Sequence, residues 1–259
     1  MQTVSITASL IYTLPKPADI LLSVEAIPMA DQRLITDKLT VWGCGPMTPV
    51  PCMDGLGQRT WFNASGRLDV VYTATIEIDR AATSLAGLDP GPRSALPAYV
   101  IPYLMPSRYC PSDLLENFVI DTFTAKDKGA LILEMAEWIH THIDYVPGST
   151  GYRATASDVF LGRRGVCRDF AHLLIAFARA SDVPARMVSA YALGLNPPDF
   201  HAVVEVWLDN RWHLVDPTRL TPEINLVRIA VGRDATDVSF MTIFGTAIMN
   251  EQSVVVTAV

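Results

Sequence analysis

Gly165 to Ala180 reads GVCRDFAHLLIAFARA. A turn-forming glycine is followed by a single cysteine, and then by Phe170, Leu173, Leu174 and Phe177, spaced to form one face of a helix. The helix must stop before Pro184, because a residue preceding proline is steered away from helical geometry. Its start falls close to Cys167, which puts the thiol in the first turn. There the unpaired backbone N–H groups and the helix dipole place about half a positive charge, which favours the thiolate, the nucleophilic form of cysteine. On this helix alone, an inert buried thiol is still the commoner fate of a lone cysteine. The reading therefore turns on what the rest of the chain brings to it.

Working outward, TAKDKGALILEMAEWIHTHIDY places Ile132, Met135, Ala136 and Ile139 on one stripe and predicts a helix over about 126–142. TASDVFLG offers Thr155 as an N-cap with Asp158 three residues on, opening a short helix that Gly162 or Gly165 would end. Beyond Pro184 come β-rich segments, ARMVSAYAL, HAVVEVWL, RWHLVDPT and NLVRIAVG, and a last one, SVVVTAV. Helices followed by consecutive strands indicate an α+β fold. Residues 1 to about 80 are strand-like throughout, in VSITASLIYTL, DILLSVEAI, RLITDKLTVW, RTWFNAS and RLDVVYTATIEI. Ala81 to Pro97 is small, Pro/Gly-rich and without period, the composition of a linker. The expected division is a β-rich domain with its linker over 1–97, then a second domain over 98–259.

The chain has 259 residues, enough for one large domain or two moderate ones, and is half hydrophobic with only 18% charged residues. A net charge of −7, with no Lys/Arg-rich run, leaves nothing for a phosphate backbone, so nucleic acid is not expected as a partner. The first residues lack a basic region before an uninterrupted apolar run, and no run of about 18 apolar residues follows. The expectation is a cytoplasmic protein that does not engage a membrane. Four cysteines without a C-x-x-C pair suggest neither a disulfide framework nor a zinc site. Exposed edge strands would allow homo-oligomers.

A nucleophilic thiol needs a base, and the base needs an acceptor to orient it. His140 and His142 sit at the polar end of a helix. His172 is five residues past Cys167, about 140° around the same helix, and cannot readily face the thiol. His201 opens HAVVEVWL, and the next strand leads to Asp216. If Asp209 and Asn210 form a two-residue hairpin turn, Leu208 pairs with Arg211 and Val203 with Asp216. His201 then shares a face with Asp216 as its diagonal neighbour, whereas His213 points away. A three-residue turn would reverse this assignment, and a solvated His and Asp at the strand ends remain the ordinary alternative.

From about Tyr145 to Arg233 the chain resembles the transglutaminase-like superfamily, specifically its bacterial cysteine-protease-like branch. The likeness rests on GVCRDFAHLLIAFARASDVPARMVSAY, DFHAVVEVWLDNRWHLVDPT and IAVGRDATDV. Residues 1 to about 80 look like the β-rich region that accompanies this branch. The resemblance implies a papain-like α+β core, with helices packed on an antiparallel sheet, in which Cys167 is the nucleophile, His201 the general acid/base and Asp216 the orienter. Two departures are visible: two valines precede Glu205 where relatives often carry aromatics, and Asp182 replaces a glycine in SDVPAR. The acidic loops of calcium-dependent transglutaminases are not located, so no metal and no cofactor is expected. The Cys167 backbone N–H should supply one oxyanion donor, and Tyr152 is a candidate for a second. The implied activity is acyl transfer at an amide bond of a peptide or amide substrate, with hydrolysis preferred. The alternatives are a protein-crosslinking transglutaminase or a non-catalytic peptide-binding module.

Overall fold

The computed structural model describes residues 1–259, the side chain of Met53 excepted. The chain opens with β1 (Gln2–Leu22), β2 (Gln32–Cys44), β3 (Thr48–Pro51) and β4 (Gln58–Ile78). VSITASLIYTL and the first four residues of DILLSVEAI, which read as separate segments, form the single strand β1, and Ser23 to Ile27 leave it toward β2. Its register against β4 skips from Leu14, opposite Gly66, to Ala18, opposite Ala64. Pro15 and Pro17 fall in that gap, where their missing N–H groups cost no ladder hydrogen bond. Gly66 borders the gap at φ +70, a left-handed geometry that glycine adopts without strain.

There follow α1 (Glu116–Thr122), α2 (Lys128–His142), β5 (Asp144–Tyr145), α3 (Ala156–Gly162), β6 (Arg164–Gly165), α4 (Cys167–Ala180), β7 (Ala185–Ala192), β8 (His201–Leu208), β9 (Arg211–Val215), β10 (Leu226–Gly232), α5 (Ala235–Val238), β11 (Met241–Phe244) and β12 (Ile248–Ala258). A four-stranded antiparallel sheet runs β10-β7-β8-β9. Ala202, Val204, Val206 and Leu208 of β8 belong to the same core cluster as Phe170, Leu174 and Phe177 of α4. Val203 belongs instead with Val188, Leu214, Leu226 and Ile27, the last contributed by the segment between β1 and β2. Both faces of β8 are thus covered, and this explains why HAVVEVWL shows little polar alternation. The mixed α/β architecture with antiparallel sheets agrees with the α+β expectation.

The last strands of the segment 98–259 pair with the first sheet. β1 and β4 form the centre of a six-stranded sheet, with β2 and β3 beside β4 and with both β11 and β12 beside β1. β12 pairs from Val4–Ala258 to Thr13–Ile248, and β11 continues along the same edge from Asp19–Phe244 to Leu22–Met241. SVVVTAV therefore returns to the first sheet and covers an edge that would otherwise be open. Alternation in a sequence identifies a strand but not its partner, so composition alone left these residues with the segment that precedes them. Among the described residues no helix is long and apolar enough to cross a membrane.

Candidate active site

Each residue of GVCRD has a local structural reason. Asp169 folds back so that its carboxylate accepts from the Val166 N–H at 2.9 Å and from the Thr150 hydroxyl. This satisfies a free donor at the helix start and sets a negative charge against the positive end of the dipole. Arg168 donates to the other oxygen of Asp169 at 2.9 Å and to the Gly151 carbonyl at 3.0 Å, tying the preceding loop to the helix. A Cβ on Gly165 would stand 2.7 Å from the Asp169 Cβ, so only glycine fits there. The outcome is that Cys167 is the first residue of α4, half-buried, with a backbone N–H that has no acceptor within its own helix.

The β8–β9 hairpin supplies the second part. Leu208 pairs with Arg211, and Asp209 and Asn210 take φ of 49° and 57°, the two positive values a tight two-residue turn requires. Val204 pairs with Val215, so Asp216 lies one step beyond, on the line of Val203. His201 and Asp216 meet as diagonal neighbours, with His201 Nε2 and Asp216 Oδ2 2.8 Å apart and both side chains buried. The Thr218 N–H and hydroxyl donate to Asp216 Oδ1 at 2.9 and 2.6 Å and fix the carboxylate in place. Burial alone would lower the pKa of His201. The hydrogen bond to Asp216 and the neighbouring Cys167 thiol outweigh it, and the imidazole is pushed up to about 10. With Nε2 committed to Asp216, Nδ1 is the nitrogen left for the thiol.

Tyr152 stands apart from this arrangement. It is 69% exposed, its hydroxyl accepts from Arg153 Nε at 3.1 Å, and the Arg153 guanidinium lies over its ring. The phenol beside the thiol is that of Tyr145. Strands β5 and β6 run parallel with Tyr145 opposite Gly165, and Val146 N–H donates to the Gly165 carbonyl at 2.9 Å. The Tyr145 ring then packs 5.7 Å from that of Phe170. Burial pushes its phenol up to about 12, the Cys167 sulfur adds to the rise, and the Cys167 backbone amide opposes it. The Tyr145 O–H thus lies near both the sulfur and the backbone amide of Cys167. Sequence reasoning missed Tyr145 because a two-residue strand carries no periodicity.

Residues 119–217 match the model of the transglutaminase-like superfamily core. Over 99% of this chain and 90% of the other, the fold superposes with a TM-score of 0.94 and 33% identity on the crystal structure of "a Putative Cysteine Protease from Cytophaga hutchinsonii". The chain belongs to the transglutaminase-like superfamily. Uncharacterized proteins of Mycobacterium leprae and Mycobacterium tuberculosis are 34% identical over 122 residues and 32% identical over 145 residues. The aligned segments span 42% and 46% of those proteins' own lengths, so the match covers less than half of each.

Three of the four other histidines of this transglutaminase-like chain are engaged elsewhere, and His140 is exposed at the end of α2. His142 stacks on Trp138 at 4.4 Å, and His213 Nε2 lies 3.2 Å from the Leu208 carbonyl. His172, inside α4, stacks on Tyr109 at 5.1 Å and accepts the Ala235 N–H at 3.1 Å, so it is held neutral. Among the described residues, no three His, Cys, Asp or Glu side chains are grouped to hold a metal ion. A cavity of about 500 Å³, lined in part by Arg80, Trp212 and Arg228, includes none of Cys167, His201, Asp216 and Tyr145.

Burial lowers His172 from 6.5 to about 4. Between those values the unfolded chain binds the extra proton, so this stabilisation is complete above about pH 6.5 and is lost as pH falls toward 4. The contribution is about 3 kcal/mol. His172→Phe keeps the stack but cannot be protonated. Urea unfolding at pH 7 and pH 4.5 should show the variant losing about 2 kcal/mol less than wild type between the two.

Proposed function

We propose that this chain is a thiol-dependent amide hydrolase using Cys167, His201 and Asp216. The observation that supports this most directly is the His201–Asp216 bond, which leaves Nδ1 for a thiol close enough to help raise the imidazole to about 10. A protonated imidazole beside the sulfur is the acid that expulsion of the amine requires. In the acylation step the sulfur attacks the carbonyl carbon and the electron pair of the C=O bond moves onto oxygen. As that oxyanion collapses, the C–N bond breaks and His201 gives its proton to the departing amine. Water then attacks the thioester while the neutral imidazole takes its proton, releasing the acid and restoring the thiolate.

The Cys167 N–H and the Tyr145 hydroxyl are the donors for the oxyanion, which exists only near the transition state. Tyr145→Phe is expected to lower kcat about 100-fold with little change in KM. Tyr152→Phe, at an exposed site, should leave both constants as they were. Steady-state kinetics on the two variants checks the contrast.

The experiment for the proposal itself is trapping. Incubation with fluorogenic peptide amides, acid quenching and intact-mass analysis should show a thioester adduct on Cys167 and release of free acid. Turnover that persists in Cys167→Ala, or an adduct on another residue, would overturn it.

A further inference from the structure

Asp199 is the carboxylate that the chemistry above does not use. It lies two residues before His201 on the chain entering β8, so their Cα atoms are no more than about 7 Å apart. The loop that carries it is fixed on both sides. Phe200 stacks 4.5 Å from Phe240 and packs 5.5 Å from Tyr191, and Gln252, from β12 of the first sheet, donates to Asp199 Oδ1. The Phe200 N–H donates to the same oxygen at 2.7 Å. Among the described residues both partners of this carboxylate are neutral amides, and both use Oδ1. Oδ2 is left open on an exposed residue. The cationic side chain beside Cys167 in sequence, Arg168, is committed to Asp169 and the Gly151 carbonyl. The charge of Asp199 also reaches the Tyr145 phenol, next to the sulfur.

We infer that Asp199 is a specificity-determining residue that receives an ammonium or guanidinium group of the substrate, so that the hydrolysed amide is one flanked by a basic residue. This rests on the hydrolase reading for the reaction but not for the charge site. A negative charge held in place with one oxygen free attracts a cation without having to be ordered first. The first sheet, through Gln252, thereby takes part in substrate selection, a role its composition does not suggest.

Two measurements test it. The first needs no substrate. Cationic 2-(trimethylammonium)ethyl methanethiosulfonate and anionic 2-sulfonatoethyl methanethiosulfonate each convert Cys167 to a mixed disulfide and release methanesulfinate. Wild type should react faster with the cationic reagent. Asp199→Asn should cut the cationic-to-anionic rate ratio about fivefold, and Asp199→Glu should retain it. An unchanged ratio in Asp199→Asn overturns the inference. The second uses quenched peptides carrying Lys or Arg against norleucine or Gln beside the scissile bond. Wild type should favour the basic peptides about tenfold in kcat/KM and Asp199→Asn should lose that preference. Equal preference in both proteins overturns the inference. A shifted reagent ratio with no peptide cleaved supports the cation site and sinks the hydrolase reading instead. Transfer of the acyl group to a free amine rather than water also supports the cation site and replaces hydrolysis by crosslinking.

Discussion

Cys167→Ala is expected to lower amide turnover by about four orders of magnitude or more, with the unfolding midpoint nearly unchanged. The side chain is half-buried at the helix start, where alanine is well tolerated and the Asp169 and Thr150 contacts remain. His201→Ala should approach the same loss, because the thiol then lacks both its proton acceptor and the acid that releases the amine. Asp216→Asn should cost about 10²- to 10⁴-fold. Its amide still reaches His201 Nε2, but the ring loses the charge that favours the imidazolium and the correct tautomer. Because these residues act on one proton, the double variant Cys167→Ala/His201→Ala should be little worse than either single variant. Steady-state rates on the same amides, with urea unfolding of each variant, separate lost chemistry from lost folding.

Glu205→Ala is expected to produce the largest loss of stability, about 3–5 kcal/mol. Glu205 is fully buried in the middle of β8 and holds two buried guanidiniums, accepting from Arg186 Nε at 2.8 Å and from Arg228 Nε at 2.7 Å. Arg186 also lies over Trp212 at 4.1 Å, and Arg228 reaches back to Asp31, just before β2, at 2.9 Å. Removing the carboxylate leaves Arg186, among the described residues, with Asp54 at 3.4 Å as its ion-pair partner and weakens the joint between the two sheets. Glu205→Gln should lose less, since an amide oxygen can still accept one of the two bonds. Urea unfolding monitored by tryptophan fluorescence reads both. A loss under about 1 kcal/mol in the alanine variant would show that the two guanidiniums find water or other partners.

The local signals that carried furthest in the sequence were those with a short physical range. Thr155 and Asp158 form the reciprocal cap that their spacing suggested, and α4 begins at Cys167. The hairpin register was conditional on a two-residue turn at Asp209 and Asn210, both of which take positive φ, and through parity that turn brings His201 and Asp216 onto one face. What was not legible depends on distant partners. β12 pairs with a strand more than two hundred residues away, and its alternation is equally compatible with either sheet. Tyr145 reaches Cys167 through a two-residue parallel pairing whose only sequence trace is DY and RG. Tyr152 was nearer in sequence but follows its own loop outward to Arg153. Asp199 gave no signal at all beyond lying next to the strand of His201.

The central claim concerns the state of one sulfur, and competitive alkylation reads it without any substrate. All four cysteines are free, and burial pushes Cys44 and Cys52 up and Cys110 up to about 12. Cys44 is half-buried like Cys167 and is therefore the fair comparator. With limiting iodoacetamide at pH 6 and peptide mapping, Cys167 should be modified about 100-fold faster than Cys44, and His201→Ala should abolish that advantage. Equal rates at Cys167 and Cys44, or an advantage that survives His201→Ala, would contradict the account.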